Sequence, residues 1–140
     1  MAQERRRLCI IGMDGGTFDV LDKRVAAGEM PNLASLLERG CRGLLQSTFP
    51  PVTAPAWTTM TTGVGPGSHG LFGFFKWKPL SWESRVDRST DVEFPRIWEL
   101  AGEAGRTVGV VTGPITFPAS PVTGFMVTGM MSPESGPAMT

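Results

Sequence analysis

Histidine is nearly missing from this chain of 140 residues: there is one, His69. Cysteine is scarce as well. Cys9 and Cys41 lie far apart with no CxxC spacing, so free thiols in a reducing compartment are expected rather than a disulfide, and the cytoplasm is the default location. Net charge is absent, because 13 Lys and Arg residues balance 13 Asp and Glu. No general field therefore draws a nucleic acid polymer or an anionic membrane. No apolar run is long enough to span a bilayer. Arg5, Arg6 and Arg7 form a small basic cluster, but Asp14 follows too soon to leave room for the apolar region of a signal peptide. There is no internal repeat, and the 18 glycines and 12 prolines punctuate apolar segments instead of forming a low-complexity tract. The length suits one small domain.

What is present is an alternation of short apolar runs and helical stripes. Residues 8–13 (LCIIGM) read as a strand buried on both faces, stopped by the turn signal Asp14-Gly15-Gly16. That puts Asp14 at the carboxyl end of the first strand, where open α/β sheets place their ligands. Residues 18–27 suggest a loose helix. Residues 31–39 predict a firmer one: Pro31 opens it, Leu33, Leu36 and Leu37 share a face, and Gly40 closes it. Residues 42–47 read as a second strand. Residues 70–94 pack Phe72, Phe74, Phe75, Trp77 and Trp82 among charges with no clean period. They read as a partly extended excursion with an aromatic cluster, for which buried packing is preferred over a stacking platform. Residues 95–104 are helical through Ile97, Leu100, Ala101 and Ala104. Residues 107–112 form a buried strand, 114–124 a proline-rich loop, and 125–129 one more strand. Ser132, Glu134 and Ser135 read as plain loop. The alternation implies an α/β fold with a mostly parallel sheet sandwiched by helices. Residues 136–140 add no closing element, which reads as an incomplete amino-terminal portion.

The stretch with most chemistry is 49–70, FPPVTAPAWTTMTTGVGPGSHG. Pro50 and Pro51 bring the chain in extended. Thr53 is a good N-cap type, Pro55 suits a first helical turn, and residues 56–62 can wind about two turns before Gly63. A helix start favours negative charge, so a phosphate is a natural guest beside Thr53. If Asp14 and Thr53 converge, a carboxylate and a hydroxyl can share a hard or borderline divalent cation. Such a cation lowers the pKa of the threonine hydroxyl and makes it a nucleophile toward phosphorus. From the bare pattern, a turn aspartate and a structural cap explain the same two residues better. His69 is read as pinning its loop through a hydrogen bond rather than as a catalytic base. The glycines around Asp14 lack the G-x-G-x-x-G spacing of a dinucleotide site.

Taken together, Asp14-Gly15, Thr53, Pro55, Thr62-Gly63 and Pro66-Gly67-Ser68-His69-Gly70 resemble the start of the alkaline phosphatase superfamily. The branch is that of the type I phosphodiesterases and nucleotide pyrophosphatases, with their bacterial phosphohydrolase and phosphomutase relatives. MPNLASLLERG and WELAGEAGRTVGVVTGPITFPASPVTGFMVTGM extend the likeness over nearly the whole chain. The resemblance implies that residues 1–140 are the amino-terminal part of an alkaline phosphatase-like catalytic domain. It implies a phosphoester hydrolase or phosphotransferase with Asp14 as a metal ligand. Thr53 would be both metal ligand and the nucleophile that becomes phosphorylated. Two divalent ions are implied, zinc in the first place and manganese as the alternative.

The chain departs from that pattern in two ways. Where the pyrophosphatases carry an asparagine three places after the nucleophile, this chain has Ala56, and Trp57 and Thr58 replace the usual His-Tyr. An unidentified small phosphate ester is therefore the expected substrate class. No later Asp and His cluster supplies the remaining ligands, and Asp14 with Thr53 cannot hold two ions alone. The isolated chain is expected to be inactive or nearly so, and to self-associate through an exposed sheet edge. The competing readings are an inactive truncated product and a flavodoxin-like small-molecule binding module.

Overall fold

The computed structural model describes residues 7–133. Arg5, Arg6, Glu134, Ser135 and residues 136–140 lie outside them. The chain forms two compact units, Met1–Leu45 and Gln46–Thr140.

The first unit contains α1 (Phe18–Ala26) and α2 (Pro31–Arg39). Thr17 caps α1 by accepting a hydrogen bond from the Asp19 N–H at 3.4 Å, and Lys23 and Arg24 sit in its last turn, where the helix dipole favours cations. Pro31 opens α2 and Gly40 closes it, at the boundaries the sequence predicts. Arg42 grips Asp22 with two hydrogen bonds of 2.8 and 3.1 Å and lies over the Phe18 ring at 4.2 Å. No described residue of this unit is buried. The expected strand at residues 8–13 is corrected accordingly: the segment joins no sheet, and Leu8 and Ile11 are 80% and 86% exposed. The physical reason is that a strand is completed by its neighbours. A short apolar run with no hydrogen-bonded edge beside it forms no strand. Residues 42–47 likewise form no strand, with Leu44 and Leu45 exposed.

The second unit carries α3 (Thr53–Thr62), α4 (Pro66–His69), β1 (Phe75–Trp77) and β2 (Ser84–Val86). A 3-10 turn at Ser89–Asp91, α5 (Ile97–Glu103), β3 (Val108–Gly113) and β4 (Gly124–Thr128) complete it. The chain is thus α/β, with β3 and β4 paired in parallel and α5 packed against β3. Val108 stands opposite Gly124 and Val110 opposite Met126. Gly109 has to be glycine, because the Phe125 ring occupies the space where a Cβ would stand, 2.7 Å from its nearest carbon. Thr116 ties the two strand ends together. Its hydroxyl donates to the Gly113 carbonyl at 2.6 Å and accepts from the Gly129 N–H at 3.0 Å.

The excursion at 70–94 is an antiparallel hairpin, with Phe75 opposite Val86 and Trp77 opposite Ser84. Its aromatic side chains are not a buried cluster. Phe72 and Trp77 are each 58% exposed and Trp82 is 95% exposed, whereas Phe74 packs against the core. A two-stranded ribbon has two open faces, and all three residues of β1 are exposed. That body is a small core of Ala54, Leu71 and Ile115, with Phe74 and Val92 against it.

Candidate functional site

The helix α3 decides where Thr53 sits. Val52 is in an extended conformation (φ −116°, ψ 148°) and serves as the N-cap, so Thr53 is the first helical residue rather than the cap itself. The helix thus begins one position earlier than the sequence suggests, its first bond running from the Ala56 N–H to the Val52 carbonyl at 3.1 Å. Val52 contributes no side-chain capping bond. The C-terminus is as predicted, with Gly63 in the left-handed region at φ 76°.

Threonine is a poor helix former, and five of the ten residues of α3, Thr53 included, are threonines. Two of them turn their hydroxyls back on the helix: Thr61 donates to the Trp57 carbonyl at 2.9 Å and Thr62 to the Thr58 carbonyl at 2.7 Å. The helix has two faces. Ala54, Pro55 and Thr58 are buried. At about 100° per residue, Thr53, Ala56, Trp57 and Met60 fall on the opposite side. Thr53 is half-buried there and Met60 is 44% exposed. α3 therefore presents its first residue away from the core while its second and third are locked into it.

His69 closes the arrangement from the buried side. It is wholly inaccessible. The Leu71 N–H donates to its Nδ1 at 3.2 Å, so the ring proton sits on Nε2. Nε2 stands 3.0 Å from the Thr59 hydroxyl and also engages the Pro55 backbone, whose only polar group is its carbonyl. Burial pushes the imidazole below its ordinary pKa; its backbone hydrogen bonds oppose that and the Arg96 charge adds to it. The loop-pinning role read from the sequence is the one the geometry provides.

Arg96 went unrecognised in the sequence. It is 4% exposed and donates to the carbonyls of Ser89 and Ile115 at 3.2 and 3.1 Å. It thereby fixes the loop that lays Ile115 against Ala54, the residue after Thr53. No local pattern marks such a role, since its partners are backbone oxygens far along the chain.

Asp14 lies in the first unit, in the exposed turn after residues 8–13, with Gly15 at φ 67°. The expected place of Asp14 at the carboxyl end of a first strand is not found, because residues 8–13 form no strand. Asp14 and Thr53 are hard oxygen donors that suit a divalent cation, but two ions need more ligands than these. Among the described residues no group of three or more His, Cys, Asp and Glu side chains could hold a metal. The donor set for a two-ion centre is therefore only begun by these two residues. An open hollow of about 650 Å³ between α5 and residues 120–123 is lined by Trp98, Glu99, Glu103 and Val122, and includes neither Thr53 nor His69.

The N–H groups at a helix start such as that of α3 favour an anion beside them. A family model for type I phosphodiesterase / nucleotide pyrophosphatase matches residues 8–138, and the chain belongs to that family. Its class of activity is phosphoester hydrolysis of the phosphodiesterase or pyrophosphatase type. No curated protein and no solved structure matches the chain.

Proposed function

We propose that this chain carries the nucleophile of a metal-dependent phosphoester hydrolase, with Thr53 as nucleophile and metal ligand and Asp14 as metal ligand. The observation that carries the reading is the position of Thr53. It is the first residue of α3, directed away from the core, at a helix end whose N–H groups favour phosphoryl oxygens. The Thr53 Oγ attacks phosphorus and expels the alcohol of the ester, leaving a phosphothreonine. Water then cleaves the phosphothreonine bond, releasing phosphate or a phosphomonoester and restoring the hydroxyl. When bound, a divalent ion supplies positive charge that favours the threonine alkoxide and the charge developing on the phosphoryl oxygens.

Zinc is the proposed ion and manganese the alternative, with two ions in the complete site. The substrate is a small phosphate ester. Ala56 one turn after Thr53 offers no polar side chain to a phosphate, so the nucleotide-type contact is not supported here. Both units are proposed to be parts of one catalytic domain, and the remaining ligands to come from outside the described residues, so that the isolated chain is inactive or nearly so. Among the described residues no helix is long and apolar enough to cross a membrane. Cys9 and Cys41 are exposed free thiols, which suits a cytoplasmic location.

The test is an assay with an activated aryl phosphodiester and added zinc. Turnover near background is expected, with any covalent phosphate located by mass spectrometry on Thr53. Robust turnover abolished by Thr53→Ala would overturn the incompleteness of the site. Phosphate found on another residue would overturn the choice of nucleophile. A flavodoxin-like module would instead ignore metal and respond to a flavin or nucleotide.

A further inference from the structure

We infer that His69 is a positioning residue for Thr53: its imidazole clamps the first two turns of α3 from behind and so sets the direction in which Thr53 is presented. The catalytic meaning of this clamp rests on Thr53 being the nucleophile; the clamp itself does not.

The need for it comes from the helix start. The first turn of a helix lacks intrahelical acceptors for its N–H groups, and a side-chain cap ordinarily restrains it. Here the N-cap is Val52, which provides no such bond, and Pro55 has no N–H at all. Contacts from other parts of the chain therefore bear on how the turn that carries Thr53 is held. On its buried side Ala54 supplies packing, which is non-directional. His69 supplies direction. Its Nε2–H meets the Pro55 carbonyl and the Thr59 hydroxyl, two groups one helical turn apart, and so fixes the roll of α3 about its axis.

The imidazole is itself held. Gly63 and Gly70, at φ 76° and 78°, allow the chain to reverse after α3 and again after α4. The His69 N–H bonds back to the Gly65 carbonyl at 3.1 Å. Nδ1 accepts from the Leu71 N–H, and the Leu71 side chain is 2% exposed in the same core as Ala54. One ring thus joins the back of α3 to the segment under it, with both nitrogens used and the proton confined to Nε2. A displacement of about 1 Å at a nucleophile can cost on the order of 100-fold in rate, which is why a directed clamp two residues from Thr53 bears on the reaction.

The chain has a single histidine, so its imidazole nitrogens are assigned without ambiguity in a nitrogen-15 spectrum of the full chain. The expected spectrum at neutral pH shows protonated Nε2 and unprotonated Nδ1. Two variants then separate the two ends of the ring. His69→Gln places an amide near the Nε2 position and is expected to keep the Thr53 carbon shifts and the slow amide exchange of Ala56 and Thr59. His69→Asn places its amide near Nδ1 and is expected to shift the Thr53 signals and speed exchange at Ala56 and Thr59 about tenfold or more, with the β3 and β4 amides unchanged. A proton on Nδ1 in the wild-type chain would overturn the inference. Thr53 signals and α3 exchange unchanged in a folded His69→Asn chain would overturn it too. Should both variants fail to fold, the wild-type tautomer still decides. Failure of the diester assay to mark Thr53 would sink the choice of nucleophile and leave these spectra standing.

Discussion

Asp91 ties the β1–β2 hairpin to the 3-10 turn that follows it, and replacing it with asparagine has a magnitude that can be worked out. Arg85 grips its carboxylate through two hydrogen bonds of 2.7 and 2.5 Å, the Arg88 N–H adds a third at 2.8 Å, and Lys76 stands 3.8 Å away. The Arg85 hydrogen bonds, with the smaller help of Arg88 and the two cations, hold the Asp91 carboxyl down from 3.8 to about 2 against its burial. At about 1.4 kcal/mol per pKa unit the shift sets a ceiling of about 2 kcal/mol. Arg85 is half exposed to solvent, and screening reduces the contribution to about 1 kcal/mol. The sign follows from the folded pKa being the lower one. The stabilisation is fully present above about pH 4 and is lost as pH falls toward 2.

Asp87 provides a control of opposite sign. It is 6% exposed, and burial first, then the Asp91 charge, push its carboxyl up. Its charged form therefore costs stability at neutral pH, and Asp87→Asn is expected to stabilise there, the gain fading as pH falls through the raised pKa. Urea unfolding followed by tryptophan fluorescence is the assay, since Trp57, Trp77, Trp82 and Trp98 all lie in the second unit. Asp91→Asn should lower the unfolding free energy by about 1 kcal/mol at pH 7 and by only a small fraction of that at pH 2. An unchanged midpoint at pH 7, or an equal loss at both pH values, would refute the reasoning.

Two further outcomes are expected. Leu71→Ala should destabilise the second unit by about 2–5 kcal/mol, because Leu71 is one of the three buried residues of the core under α3; a melting curve within error of wild type would contradict that. On one face of the β3–β4 pair Val111 and Phe125 are 60% and 54% exposed, so the chain is expected to self-associate and Val111→Lys to reduce it. Sedimentation velocity reads the difference, and a clean wild-type monomer would contradict the prediction.

The parts of the fold legible in the sequence are those fixed within one or two helical turns. α2 was readable from Pro31, the three leucines and Gly40, and α5 from its apolar stripe. The end of α3 followed from Gly63, while its start lies one residue earlier than a Thr53 cap would place it, because Val52 takes the cap position without a side-chain bond. β3 and β4 were found as short apolar runs. The same signal at residues 8–13 and 42–47 gave no strand, since a ladder needs an edge elsewhere in the chain and no local pattern records whether one is there. The aromatic run at 70–94 misled for a related reason: it lies largely on a two-stranded ribbon, and β1 is exposed along its whole length. Of the candidate site, Thr53 and Asp14 were legible as motif residues. The clamp on α3 was legible only in part. His69 was read as a loop pin, but its partners Pro55 and Thr59 are reached only after the reversal between Gly63 and Gly70. Arg96 left no trace, because it acts through carbonyl oxygens.

The central proposal is that Asp14 and Thr53 are both ligands of a divalent cation, with Thr53 also receiving a phosphate. The direct measurement is paramagnetic broadening of backbone amide signals by manganese, with and without inorganic phosphate. A helix start alone disfavours a cation, so phosphate should strengthen the effect. The account predicts broadening at both Asp14 and Thr53 that grows when phosphate is added. Broadening at only one of them, or at neither, with phosphate present would contradict it.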